Sequence, residues 1–422
     1  MALPLLAGFR PADPFAYHGG AIVTAAAFEG AARALAARLP RRSHVVNLCE
    51  DRYAFMLGFA ASLLAGQTTL LPPSRAPEAV RESCGGHDAH QLVDADVLSG
   101  ATADGGALTV DENHVAAVVF TSGSTGRPVG HAKTWGSLVA GARALGERLK
   151  AKGGIVGTVP PQHMFGLEST VMFPWQNGLA THSGRPLLPA DLADAITALG
   201  APCWLMTSPL HLRACVEARQ PLPGLAGILS STMPLDPALA RAAEELWGAP
   251  VFEIYGSSEA GMIATRRGTV GETWELAPNV VLAGSENLSV QGGHIREPQP
   301  IADDLERRGE RHFVLLGRKS NLVKIAGKRT SLEALNAVLQ RIEGVRDGVF
   351  YQRDGAERLG ALVVAPGKSA RALRAALRRH IDPAFLPRPL HLVEALPRSE
   401  NGKLTRQALL DLVAALEAEA TS

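Results

Sequence analysis

Residues 117–134 read AVVFTSGSTGRPVGHAKT, and the fold is decided by how the join inside this stretch is read. Its apolar half, extended back to HVAAVVFT at 114–121, has the length and β-branched content of a buried strand. That strand runs directly into a cluster of Ser, Thr and Gly. A tight glycine-rich turn at a strand's C-terminal end lines up successive backbone N–H groups. The hydroxyls of Thr121, Ser122, Ser124 and Thr125 add further polar contacts, so the segment reads as an anion nest. Gly123 and Gly126 permit close approach and dihedrals that other residues avoid. The G-x-x-x-x-G-K-[ST] spacing of a Walker A loop is absent.

Outward from this stretch the pattern alternates. HVVNLC, GGIVGTVP, PCWLMTS, LAGILSS and PVFEIYG read as strands, and AAFEGAARALAARL, SLVAGARALGERLKA and PALARAAEELWG as helices. Strands alternating with helices predict a large α/β domain, its parallel-rich sheets covered by helices on both faces. Ligands in such folds collect at the strand C-terminal ends. Past residue 322 the order becomes helix (SLEALNAVLQRI), strand (VRDGVFYQ), strand (RLGALVVAP), helix (SARALRAALRRH), strand (PLHLVEAL) and helix (TRQALLDLVAALEAEA). This predicts a small α+β domain, with a large domain over 1–320 and a small one over 321–422.

The bulk properties suit a soluble globular protein. The chain has 422 residues, too many for one ordinary core. A net charge of +1 gives no overall field for nucleic acid. No apolar run reaches membrane-spanning length, and the start lacks the charged segment of a secretion signal, so a cytoplasmic protein with no integral membrane association is expected. Cys49, Cys84, Cys203 and Cys215 are too scattered for a disulfide framework or a zinc site and read as small buried hydrophobes. Residues 323–422 hold 16 Lys and Arg against 11 Asp and Glu, so the small domain is basic.

Five further segments follow in order: PQHMFG at 161–166, EIYGSSE at 253–259, ADDL at 302–305, GRKSNLVKIAGKR at 317–329 and LPRSENGKLTR at 396–406. Together with TSGSTGRP they resemble the adenylate-forming superfamily of acyl- and aryl-CoA synthetases, nonribosomal peptide adenylation domains and luciferases. The resemblance implies a two-domain enzyme with a mobile C-terminal domain. It implies that Thr121 to Gly126 hold the phosphates of ATP, with Tyr255 against adenine and Ser258 in the motif's threonine position. Glu259 is then the Mg²⁺ ligand, which agrees with the metal's demand for hard oxygen donors. Asp304 and Arg318 anchor the ribose and phosphate, and Lys403 meets the acid carboxylate and α-phosphate. His163 stands near the acyl pocket and thiol tunnel, and Lys324 serves thioester formation. Ser230 and Ser231 lie on the adenine side. Phe165, Trp175 and Met206 are candidate pocket walls.

The sequence also departs from the family pattern. Val129 stands where the family has a lysine after the loop proline, leaving Arg127, His131 and Lys133 as candidate replacements; Lys133, with its flexible stem, is the first choice. Asn321 occupies the hinge position, and Ala334, beside Glu333, a place usually held by Glu. The stretches before Thr121 and between Tyr255 and Arg318 are short, which predicts a reduced barrel-like subdomain and a weakened site for the nucleotide of CoA. The expected reaction is ATP-dependent adenylation of an aryl or acyl carboxylic acid, then transfer to a thiol. The favoured acceptor is the pantetheine of an acidic acyl carrier protein, in the manner of aryl polyene ligases. Free CoA is the alternative, and a non-catalytic adenylate- or acyl-binding protein is the reading from another class.

Overall fold

The structure, a computed structural model, describes the chain except residues 99–105, 123–127, 201, 286, 319–321, 326–327, 354–355, 357, 399–401, 403 and 422. Within strands and helices it also leaves out the side chains of residues 122, 318, 322, 324, 329, 333 and 419–421. It divides into two compact units: Met1–Pro300 with Glu310–His312, and Ile301–Gly309 with Phe313–Ser422.

The first unit is built on two large sheets. A five-stranded sheet runs in the order Ala89–Leu92, His44–Asn47, Thr68–Leu71, Val115–Ser122 (β1) and Pro128–Thr134 (β2). Its pairs are parallel except for the last, which is antiparallel. The apolar strand predicted from the opening stretch is thus present, and the residues after the Ser/Thr/Gly cluster return as a strand beside it. In that hairpin Thr121 lies opposite Val129, and Val119 opposite His131.

The second sheet crosses the unit through Ala21–Thr24, Pro14–His18, Ala180–His182, Gly154–Gly157, Cys203–Thr207, Leu225–Ser230, Val251–Ser257 (β3), Gly261–Arg266 (β4) and Trp274–Leu276. From Pro14–His18 to β3 every neighbouring pair is parallel. Both ends of this series close with antiparallel pairs. Parallel strands need crossover connections, and here these are mostly helices with apolar faces. Pro189–Leu199, Pro209–Glu217 and Pro237–Trp247 pack one cluster containing Leu192, Ile196, Leu205, Leu212, Ile228 and Val251. Ala25–Ala36, Arg52–Leu64 and Trp135–Leu149 pack another, around Phe28, Phe55, Phe59, Trp135 and Trp175.

Arg52–Leu64 is buried from Arg52 through Leu63, so it has no solvent face to mark it as amphipathic. Its one charged residue, Arg52, sends its guanidinium to Thr170 Oγ1, to the Gly157 carbonyl (2.8 Å) and to the Val159 carbonyl (3.1 Å). Burial, then the neighbouring Arg185, pulls its pKa down to about 9. The side chain thereby holds the exit of strand Gly154–Gly157, from which the chain runs on to His163.

The second unit has the mixed character expected of the small domain. Asp303–Arg307 (β5) pairs antiparallel with His312–Arg318 (β6) along their shared register. Leu322–Ile325 pairs with Lys328–Ser331. A three-stranded sheet, Asp347–Tyr351, Gly360–Val364 and Leu390–Leu392, is apolar on both faces. One face packs Phe350, Ala361 and Val363 with Leu335 and Leu339 of helix Leu332–Gln340 and Leu373 and Leu377 of helix Ala370–Leu377. The other packs Tyr351, Leu362 and Val364 against Leu409 and Val413 of helix Arg406–Thr421. The first helix is capped by Ser331 Oγ, which accepts from the Ala334 N–H at 3.1 Å.

The four cysteines are free and buried, as the sequence suggests. Burial pushes the thiols of Cys84 and Cys215 up to about 11, which makes them poor nucleophiles at neutral pH. Among the described residues no helix is long and apolar enough to cross a membrane.

Candidate active site

The residues singled out from the first unit gather where its strands end. β3 leaves the sheet through Tyr255, and the turn Ser258–Ala260 leads back into β4. Tyr255 is half-buried, its ring 5.8 Å from that of Trp274. Arg266 lies over the Trp274 ring at 4.5 Å and is fixed by Glu253 through bonds of 2.7 and 3.1 Å. Ser258 is half-buried and Glu259 exposed.

The surroundings of Glu259 favour its ionised form. Burial alone would raise its pKa, but its own backbone N–H, Ser257, His131 and Lys133 outweigh that and hold it below the ordinary carboxylate value. Its Oε1 lies 3.5 Å from His131 Nε2, and the same ring nitrogen lies 3.0 Å from Thr121 Oγ1. One histidine therefore joins the first residue of the Ser/Thr/Gly stretch to the carboxylate. An ionised, accessible oxygen beside a phosphate-type loop suits Mg²⁺, which commonly takes one or two protein carboxylates and completes its shell with phosphate oxygens and water.

On the neighbouring strand, Leu225–Ser230 ends in Ser230, which is buried with an Oγ that finds no hydrogen-bond partner among the described residues. Ser231 Oγ donates to the Ile254 carbonyl at 3.2 Å. Thr232, not singled out from the sequence, has φ +80°, rare for a β-branched residue, and its hydroxyl is also buried and unpartnered among the described residues. The strained backbone at Thr232 and the two unpartnered hydroxyls lie in the segment whose Ser230 and Ser231 the resemblance singles out, while nothing in the sequence marks Thr232 itself.

His163 stands immediately before the short helix Met164–Leu167, and its carbonyl accepts from the Leu167 N–H at 2.8 Å. A π-helical turn, Glu168–Met172, continues that helix. Gly166 is required here, because a Cβ would be driven into the Pro160 carbonyl oxygen. Gly166→Ala is therefore expected to destabilise the protein by about 3 kcal/mol through overpacking against backbone. Thermal melting checks this; an unchanged melting temperature would show that the segment relaxes freely. Phe165 is half-buried, consistent with a wall position. Trp175 and Met206 do not belong with it. Trp175 is fully buried among Phe15, Phe28 and Phe59, its indole N–H directed at Met56 Sδ (3.4 Å), and Met206 is fully buried within strand Cys203–Thr207.

The expected replacement of the loop lysine by Lys133 also needs correction. On β2, residues 129, 131 and 133 share one face by the period-2 alternation. Val129 is 46% exposed, whereas Lys133 is 7% exposed and its ammonium donates to the Glu259 carbonyl. Four residues of strand separate the two positions by about 13 Å. A buried ammonium held by a backbone carbonyl does not stand in for a lysine at 129.

In the second unit Asp304 lies opposite Gly317, and Asp303 opposite Arg318, so Asp304 and Arg318 occupy adjacent rungs of one hairpin. Gly317 has φ +127°, a conformation that suits glycine. Lys324 lies opposite Arg329 in the next hairpin. Gly123, Ser124, Thr125, Gly126, Arg127, Asn321 and Lys403 lie outside the described residues. The chain around Lys403 is anchored: Arg398 and Leu404 form an antiparallel bridge. Arg398 binds Asp347 in a fork of 2.7 and 2.8 Å and donates to the Gly402 carbonyl at 3.0 Å.

The family model for AMP-binding enzymes matches residues 16–283. The chain belongs to that family, and with it to the ATP-dependent, AMP-forming acid–thiol ligases. Among its relatives are the 4-coumarate–CoA ligase of Rhodobacter capsulatus, 31% identical over 68% of this chain and 74% of that protein, and a probable 2-succinylbenzoate–CoA ligase of Mycobacterium tuberculosis, 31% identical over 72% and 87%. The fold is similar to that of O-succinylbenzoate coenzyme A synthetase from Bacillus subtilis in complex with AMP. There the TM-score is 0.79 at 17% identity, covering 96% of this chain and 98% of that one.

These relatives overturn the expected carrier-protein acceptor, since their chemistry is that of CoA ligases. The basic composition of the small domain was a weak guide. Several of its cations are spent inside it: Lys328 on Asp382 (2.5 Å), Arg398 on Asp347 and Arg353 on Glu417.

Proposed function

We propose that this protein activates a small aryl or acyl carboxylic acid with ATP and passes the acyl group to the thiol of CoA. In the first half-reaction a carboxylate oxygen of the acid attacks the α-phosphorus of ATP, the bond to the β-phosphate oxygen breaks, and pyrophosphate leaves. In the second, the thiolate of CoA attacks the acyl carbonyl and AMP departs with the electron pair of the mixed anhydride. The observation that carries this reading is the link from Thr121 through His131 to Glu259, which ties a phosphate-type loop to an ionised carboxylate at the strand ends.

Within this reading Thr121 to Gly126 hold the departing phosphates through backbone N–H groups and hydroxyls, and Glu259 holds Mg²⁺. The metal supplies charge neutralisation on the phosphate oxygens. Tyr255 packs against adenine, with Ser258 beside it. Asp304 and Arg318 take the ribose and adjoining phosphate, a role that their neighbouring rungs suit. Lys403 meets the carboxylate and α-phosphate as a point charge, while His163 and Lys324 serve the thiol half-reaction. The CoA ligases among the relatives support CoA as acceptor.

The test is a screen of aryl and short acyl acids for pyrophosphate release with ATP and Mg²⁺, each run with and without CoA. An acid that releases pyrophosphate and gives an acyl-CoA only when CoA is present is the expected result. Pyrophosphate release with no thioester at any CoA concentration would overturn the acceptor, and no release with any acid would overturn the reaction.

A further inference from the structure

We infer that Lys133 and Glu168 are positioning residues that buttress the turn carrying Glu259 from beneath. The inference rests on the reading of Glu259 as the metal ligand. Two chain segments distant in sequence converge at that turn. Lys133, near the end of β2, donates its ammonium hydrogen to the Glu259 main-chain carbonyl. Glu168, in the π-helical turn after His163, accepts from the Met262 N–H at 3.1 Å. Its carboxylate also abuts Gly261, where an added Cβ would lie 2.5 Å from Oε1. The residues on either side of the turn's return into β4 are therefore gripped from two directions, while the carboxylate of Glu259 stays on the accessible side beside His131.

Both side chains are largely withdrawn from water. Burial lowers the pKa of Lys133, and the nearby negative charges of Glu168 and Glu259 work against that loss. Burial raises Glu168 to about 7, opposed by the Met262 N–H and by Lys133. An ammonium only 7% exposed depends on the polar groups around it, and the Glu259 carbonyl is the acceptor it donates to. A residue that grips a ligand's backbone sets where its carboxylate can stand, as outer-shell groups do in metal sites generally. The arrangement also couples three functional segments: the strand after the phosphate loop, the helix after His163 and the metal turn.

The experiment measures Mn²⁺ binding to the protein with α,β-methylene ATP, by calorimetry, alongside the Mg²⁺ dependence of pyrophosphate release and thermal melting. Lys133→Met is expected to weaken Mn²⁺ binding and raise the half-saturating Mg²⁺ about 10-fold, with the KM for the acid unchanged. Lys133→Arg restores part of the loss by keeping a donor and a charge, and Glu168→Gln shifts metal dependence in the same direction by less. The double variant Lys133→Met, Glu168→Gln falls short of the product of the single effects, because the two residues act on one turn. If Lys133→Met does not fold, Lys133→Arg and Glu168→Gln carry the test. Unchanged metal binding in the folded variants overturns the inference. Glu259→Gln separates the two levels: if it shifts metal binding and the buttress variants do not, the inference alone fails. If Glu259→Gln leaves metal binding unchanged, the reading of the site fails and takes the inference with it.

Discussion

Lys403→Ala is expected to slow acyl-adenylate formation by about 10²- to 10³-fold, the size of loss seen when one preorganised donor to a developing oxyanion is removed. The reason is where charge develops. As the acid attacks, negative charge moves onto the α-phosphate and the departing phosphates, and a flexible ammonium can follow it. Thioester formation develops its charge at the acyl carbonyl instead. Transfer from a supplied acyl adenylate to CoA should therefore stay within about threefold of the parent enzyme. Lys403→Arg is expected to recover little, because a planar fork does not present the same point charge. Single-turnover pyrophosphate release measures the first half-reaction, and AMP release from synthetic acyl adenylate plus CoA the second. Equal losses in both would remove the division of labour.

The second large effect is expected at Glu259. Glu259→Gln keeps the shape and a carbonyl oxygen but removes the anion, so the half-saturating Mg²⁺ should rise on the order of 10²-fold. The hydrogen bonds that keep this carboxylate ionised in the parent have no charge to act on in the amide. Excess Mg²⁺ should recover part of the rate, since the phosphates still bring most of the metal's oxygen donors. A Mg²⁺ titration at saturating ATP and acid distinguishes this from a folding defect, which added metal would not correct. An unaltered titration would show that the metal is held elsewhere.

Much of this site is legible in the chain because its parts are local. The strand at 115–122 followed by Ser, Thr and Gly, and the strand at 251–257 followed by Ser258 and Glu259, each carry their meaning within a few residues. The alternation of strands and helices likewise points to a parallel-rich sheet, and the sheet's central pairs are parallel. Illegible features depend on closure in three dimensions. Glu168 looks like an ordinary helix carboxylate until the turn at Gly261 folds onto it. Lys133 reads as a free cation because the strand Pro128–Thr134 is short and polar, with no apolar alternation to reveal which face is covered. Trp175 reads as a pocket wall because an aromatic after the His163 segment fits either a pocket or a core, and only contact with Phe28 and Phe59 decides between them. The period-2 grouping of Val129, His131 and Lys133 was the one available signal, and its covered end becomes visible only with the fold.

The bridge between Arg398 and Leu404 has a consequence for the entropy of the reaction cycle. A catalytic lysine on an open loop would have to lose loop-closure freedom each time it engages substrate, and that loss would weaken the very step it serves. Here the ends of the segment bearing Lys403 are already joined by the bridge, and Arg398 ties them to Asp347 and the Gly402 carbonyl. The joining of those two ends belongs to the folding of the second unit and precedes any ligand. Joining Arg398 to Leu404 is then no part of the entropy lost when a ligand binds.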